Sequence, residues 1–212
     1  MSNNNADGLL VARICHDLKN CLSVVAFQKE DLADGVVDLQ TGVNNIISGV
    51  DNLSLRLSFF QNLVVGGSHI GNLYEILKQM CVGSSVNLVF DIDINTNISG
   101  QLYSEQNIVC GILYLIVVDA LRSKSSQTII VSKDSREDVV NIFIPGITMD
   151  DIPREIIDIA EMNEVVATVV NALALYVRRL MKRHGYSANI FDTGSRINSD
   201  EIGVKIVLAK LT

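Results

Sequence analysis

The residues of this sequence best suited to chemistry sit close together near its amino end: His16, Asp17, Lys19 and Asn20. A solvent-facing imidazole keeps an unprotonated ring nitrogen near neutral pH and can attack phosphorus as a nucleophile. Phosphoryl transfer asks little of a protein beyond positioning and charge compensation. On a helix, Asn20 shares the face of His16, Lys19 lies close beside it, and Asp17 stands about a quarter-turn round. Asp17 could hold the imidazole tautomer or accept its proton. Lys19 could offset charge on phosphoryl oxygens, and Asn20 could donate a hydrogen bond or orient water.

The helix that must present these groups is legible in the apolar spacing. Val11, Ile14, Leu18, Cys21, Val25 and Leu32 recur at steps of three and four, and Gln28 interrupts the series. A second series runs Val36, Leu39, Val43, Ile46, Val50, Leu53, Leu57, Phe60, Val64. Between them, Ala33-Asp34-Gly35 supplies a stop and restart. The pattern predicts a helical hairpin with heptad seams on both arms. With Val11 at heptad position a and Ile14 at d, His16 falls at f, away from the seam and in solvent. Ser23 and Phe27 continue its exposed stripe, and an aromatic ring there points to a partner surface. Two helices bury such regular seams less well than four, so a homodimeric four-helix bundle is expected.

The Gly66-Gly67-Ser68 run marks a boundary, giving a hairpin domain over 1–67 and a second domain over 68–212. There the pattern predicts helices at 72–82, 103–123, 153–161 and 164–184, and strands at 86–94, 128–133, 139–144, 186–192 and 202–211. The fold class expected is α + α/β, an N-terminal helical hairpin followed by an α/β sandwich.

Composition narrows the function classes. The chain of 212 residues is 48% apolar with a net charge of −7, which favours a folded protein and disfavours nucleic-acid and anionic-membrane partners. The longest apolar run, near Ile112–Val118, falls well short of the roughly 20 residues a membrane span needs. Met1–Asp7 carries neither the positive nor the apolar region of a signal peptide. The four cysteines (15, 21, 81 and 110) sit in apolar patterns without a Cys-x-x-Cys pair, as expected of buried free thiols in a cytoplasmic protein. No metal site is expected from them.

Arg13-Ile14-Cys15-His16-Asp17-Leu18-Lys19-Asn20 resembles the H-box of two-component histidine kinases, with Cys21 where the kinases usually place proline. More closely, Ala12–Leu18 near the start of a chain of this length is similar to the ChpT-type histidine phosphotransferases of alphaproteobacteria. The resemblance implies a dimeric phosphotransfer bundle bearing phospho-His16, joined to a kinase-type ATP-binding-like domain that binds no nucleotide. It implies receiver domains of response regulators as partners, with Ala12, Arg13, Ser23 and Phe27 facing them. It further implies no cofactor in this chain, magnesium being held by the receiver.

The kinase nucleotide motifs are degraded accordingly. Tyr114–Ala120 stands where kinases carry Asn-x-x-x-x-Asn-Ala, and both asparagines are replaced. Ile144–Thr148 stands for Asp-x-Gly-x-Gly without the aspartate, and Met162–Val170 contains no glycine to cradle phosphate. The His184-Gly185-Tyr186 ending resembles the kinase helix that closes in His-Gly-Gly. Plainer readings cover the remaining candidates. His184 and its neighbouring cations offset a helix dipole, and His69 is a loop residue. Asp150 and Asp151 cap a helix with Pro153 in its first turn; Asp119 is a vestigial ligand or faces solvent. An active kinase with an eccentric ATP site, an idle scaffold, and a phosphatase using Asn20 are the competing functions.

Overall fold

The computed structural model describes residues 4–65, 73–91, 100–123, 126–134, 139–161, 167–193 and 202–211. The expected domain boundary at 66–68, His69, and most of the polar turn at 134–138 lie outside the described residues.

Helices α1 (Asn4–Ala33) and α2 (Leu39–Val65) form the hairpin. Gly35, at φ 69°, takes the left-handed conformation that ends α1. Asp38 then caps α2: its carboxylate accepts from the Thr41 amide at 3.0 Å and the Thr41 hydroxyl at 2.6 Å. Those bonds hold the Asp38 carboxyl below its ordinary range. Glycines set how closely the arms approach. A Cβ on Gly42 would lie 2.6 Å from Leu32 Cδ1, and one on Gly49 would lie 2.6 Å from Val25 Cγ2.

The seam on α2 divides in a way its spacing alone does not reveal. Ile46, Leu53 and Phe60 are buried or half-buried, whereas Leu39, Val43, Val50, Leu57 and Val64 are exposed, and Val36 precedes the helix. From Ile46 onward the stripe divides, one side packing within the chain and the other facing out. On α1, Leu10, Arg13 and Asp17 are the buried residues among those described. Hydrophobic periodicity passes over this stripe because two of its members are charged.

Beyond the hairpin come α3 (Leu73–Cys81), β1 (Val86–Asp91), α4 (Gly100–Ser123), β2 (Gln127–Asp134), β3 (Val139–Pro145), α5 (Arg154–Glu161), α6 (Ala172–His184), β4 (Tyr186–Asp192) and β5 (Gly203–Lys210). They build a five-stranded sheet of order β1-β2-β3-β5-β4. β1 and β2 are parallel, joined through α4, and the other pairs are antiparallel. Val140, Ile142 and Ile144 lie opposite Leu208, Ile206 and Val204, all buried, while alternate residues are half-exposed. One face therefore carries the helices. This is the helical region followed by a mixed α/β sheet that the sequence predicts. Helix α4 is buried on every side from Ile108 to Val118, as a core helix must be. Its Glu105 carboxylate is matched by Lys133 at 2.7 Å and by the Tyr186 hydroxyl at 3.2 Å.

Helix α6 starts later than predicted, at Ala172. Thr168 and Asn171 exchange hydrogen bonds, Thr168 N to Asn171 Oδ1 at 2.8 Å and Asn171 N to Thr168 Oγ1 at 3.4 Å. This local pairing competes with helix in a β-branched stretch. Its other end follows the prediction, with Gly185 left-handed and Lys182, Arg183 and His184 in the last turn. Asp151 caps a 3₁₀ turn at Met149–Asp151, not α5, by accepting from the Thr148 amide and hydroxyl, both at 2.8 Å.

A single cluster of buried apolar residues runs from Leu10 and Phe59 in the hairpin to Leu208 in the sheet. The Tyr176 hydroxyl donates to the Leu63 carbonyl at 3.0 Å, and Arg179 pairs with Asp7 at 2.9 Å. Among the described residues no helix is long and apolar enough to cross a membrane.

Candidate functional site around His16

His16 stands on α1 with 58% of its side chain exposed, as its f position predicts. Ala12, Lys19, Asn20, Ser23 and Phe27 are also exposed, so a solvent-facing stripe runs along α1 on both sides of the imidazole. The Ser23 hydroxyl donates to the Lys19 carbonyl at 3.0 Å. Phe27, 67% exposed, is the largest apolar side chain of this stripe.

Asp17 is the contrast. Its side chain is fully buried, with Oδ1 at 3.4 Å from His16 Nδ1. Its other oxygen accepts from Arg13 Nε at 3.2 Å and faces the Tyr114 hydroxyl at 3.5 Å. A buried carboxylate survives only with such partners. Burial pushes the Tyr114 phenol well above its ordinary range, with Asp17 adding to the effect and Arg56 opposing it, so the hydroxyl keeps its proton and acts as a donor. The Tyr114 ring stacks on Phe59 at 4.6 Å between centroids and 15° between planes, which fixes the hydroxyl's reach. Arg56 closes the group from α2, 3.3 Å from the Tyr114 oxygen and 2.9 Å from Asn52 Oδ1.

Asn20 Nδ2 also lies 3.4 Å from His16 Nδ1. One ring nitrogen cannot donate to a carboxylate and accept from an amide at once. Asp17 is held in place by Arg13 and Tyr114, whereas Asn20 is exposed and can turn. The charge-assisted bond to Asp17 is the stronger of the two. With the proton on Nδ1 shared toward Asp17, the lone pair stands on Nε2, the ring's other nitrogen.

Arg13, expected at a partner surface, is instead buried. Its guanidinium bridges Asp17, one helical turn away, and the Val170 carbonyl before α6, reached at 2.6 Å. Cys15, expected to point inward, is exposed, because it neighbours His16 on the outer side of the seam. Tyr114 and Arg56 escape a reading of the H-box because both lie far from it in sequence. A phenol in the otherwise apolar run from Ile108 to Val118 was the available signal, since a buried hydroxyl needs a partner.

A separate cavity of about 420 Å³ lies among the end of α4, the end of β3 and the 3₁₀ turn. Ile116, Ile144, Ile147 and Ile152 line it, with the carboxylates of Asp119 and Asp151. Asp119 is exposed, and the Asp151 carboxyl is held below its ordinary range by its bonds from Thr148. Among the described residues no cluster of His, Cys, Asp or Glu could hold a metal ion.

By sequence, no protein-family model and no curated protein matches the chain. By structure, the chain has the fold of a bacterial phosphotransferase: the two align with a TM-score of 0.71 at 15% identity, over 98% of this chain and 97% of that one. The histidine kinase AdeS of Acinetobacter baumannii aligns with a TM-score of 0.42 at 12% identity, over 92% of this chain and 97% of that one. The histidine kinase domain of a blue-light activated histidine kinase from Erythrobacter litoralis aligns with a TM-score of 0.38 at 14% identity, over 97% and 91%.

Proposed function

We propose that this protein is a histidine phosphotransferase that relays a phosphoryl group between receiver aspartates through His16, without ATP. The observation that carries the reading is the exposed imidazole whose Nδ1 faces the buried Asp17 carboxylate at 3.4 Å. The Nε2 lone pair attacks the phosphorus of an aspartyl phosphate. A P–N bond forms, the acyl-phosphate P–O bond breaks, and its electron pair returns to the receiver's carboxylate. The Nδ1 proton stays shared with Asp17, which supports the positive charge that the ring gains. In the second transfer another receiver's aspartate attacks phosphorus, and the P–N electron pair returns to Nε2. Lys19 offsets charge on the phosphoryl oxygens, and Asn20 turns toward them as a donor. Magnesium belongs to the receiver's acidic pocket.

Val43, Val50, Leu57 and Val64 form the seam of a homodimer through α2, since an exposed apolar stripe of this regularity calls for a cover. Ala12, Ser23 and Phe27 meet the receiver; Arg13 works from inside the chain. The acidic cavity below α4 is a poor home for a triphosphate, because Asp119 and Asp151 would repel the anion that a kinase must hold.

The test is incubation with receiver domains charged by acetyl phosphate. Phosphohistidine should appear on the wild-type protein and not on His16→Ala, and should pass to a second, uncharged receiver. A chain that takes no label from any receiver, or takes it equally without His16, is not a relay. Labelling from radioactive ATP in the absence of receivers would make it a kinase instead.

A further inference from the structure

Asp17 takes donors from two elements, and one of those donors is itself held from a third. Arg13 reaches it along α1 at 3.2 Å, the Tyr114 hydroxyl reaches it from α4 at 3.5 Å, and Arg56 of α2 stands 3.3 Å behind that hydroxyl. The tyrosine itself has little room to move: it is fully buried and packed on Phe59 and Phe60. From this we infer that Tyr114 is a positioning residue for the phosphoryl-accepting histidine, acting through Asp17, so that the second half of the molecule sets the tautomer of a nucleophile carried by the first.

A carboxylate held by one donor can pivot, and its free oxygen then samples several directions. A second donor on a separate, rigid element removes the pivot. Arg13 supplies one donor, itself tied to the Val170 carbonyl, and its single bond from Nε leaves the carboxylate able to turn about it. Tyr114 supplies the second from another helix, and its stacked ring confines the hydroxyl to a small arc. Oδ1 is then left facing Nδ1 of His16. Without the hydroxyl, Asp17 can turn toward Arg13, and the imidazole is released to the tautomer with its proton on Nε2, which has no lone pair there for attack. Arg56, bound to Asn52, keeps the phenol aimed.

This inference rests on the relay reading for its consequence in rate, but its physical core can be measured without any partner. Nitrogen-15 correlation spectra of the imidazole report the ring tautomer in the unphosphorylated protein. Wild type should show His16 chiefly as the Nδ1–H form. Tyr114→Phe keeps the ring stack and loses only the hydroxyl, so it should shift His16 toward the Nε2–H form. Phosphohistidine formation from acetyl-phosphate-charged receivers should slow about tenfold, the effect of one hydrogen bond to a charged group. Asp17→Asn should do at least as much, and adding Tyr114→Phe to it should change nothing further, because the pathway runs through the carboxylate.

An unchanged tautomer in Tyr114→Phe overturns the inference, and so does a tautomer shift that persists when the same change is made in Asp17→Asn. A wild-type protein that shows the tautomer and its loss but takes no phosphoryl group would overturn the relay and leave the positioning intact. Should Tyr114→Phe fold poorly, Arg56→Met provides the second arm. It leaves Asp17 and Tyr114 in place, removes the group that aims the phenol, and should move the tautomer in the same direction.

Discussion

Arg13, on the first helix, donates to the carbonyl of Val170 at 2.6 Å across 157 residues of sequence, and its Nε donates to Asp17 at 3.2 Å. Arginine suits this place because its planar fork addresses two acceptors in different directions. Replacing Arg13 by Met keeps an unbranched apolar stem and removes both bonds, leaving a buried carboxylate and a carbonyl short of a donor. A loss of about 3 kcal/mol is expected, read as a lower urea midpoint. Arg13→Lys should recover less than half of it, since one ammonium cannot span both acceptors.

The face of α2 opposite the core should be where two copies meet. Leu57→Glu puts a charge in the exposed stripe without touching Phe59 or Phe60, which are buried. Sedimentation equilibrium should show a dimer for wild type and a monomer for Leu57→Glu, with the helical circular dichroism largely kept. A dimer that persists in both Leu57→Glu and Val50→Glu would place the interface elsewhere.

Two glycines in the hairpin should respond in opposite directions to the same change. Gly49→Ala drives a methyl against Val25 Cγ2, 2.6 Å from where the new carbon would sit, and should cost about 1–3 kcal/mol. Gly8, within α1, has nothing within 4 Å of its would-be Cβ, and Gly8→Ala should stabilise by roughly 0.5–1 kcal/mol through helix propensity. Thermal unfolding of the two variants side by side decides both.

The hairpin was legible in the sequence because its apolar steps are regular, and the same arithmetic put His16 in solvent. Arg13 was not legible as an inward residue. Nothing in a run of eight residues says that Val170 will lie above it, and a charged side chain at a buried position is invisible to hydrophobic periodicity. The split of the α2 seam was hidden for a related reason: spacing shows that Val50 and Leu53 share a broad face, not which neighbour covers each. The start of α6 was misplaced because Val165–Val170 carries the right apolar density for a helix. The hydrogen bonds exchanged by Thr168 and Asn171 override it.

Alkaline pH should weaken the fold through its buried thiols. Burial pushes the Cys81 thiol up to about 11 and Cys110 well above its ordinary range. In the unfolded chain both ionise from about pH 8.5, so above that point the unfolded state binds fewer protons than the folded one. The stability these thiols support is complete below about pH 8.5 and, for Cys81, is lost as pH climbs toward about 11, by up to ~1.4 kcal/mol per unit. Urea midpoints measured from pH 8 to 10 should fall, and Cys81→Ala should flatten that decline. At pH 8 a thiol reagent should modify exposed Cys15 at once and Cys81 and Cys110 only on unfolding.

The uninterrupted apolar interior from Leu10 to Leu208 has a mechanical corollary. A lever needs a joint, and here any swing between the helical pair and the sheet would expose Phe59, Leu63 and Tyr114 to water together. On the relay proposed above, the molecule would act as an anvil, not as a hammer, and differences in transfer rate between receivers should track how each one lands on the ridge of Ala12, His16, Ser23 and Phe27.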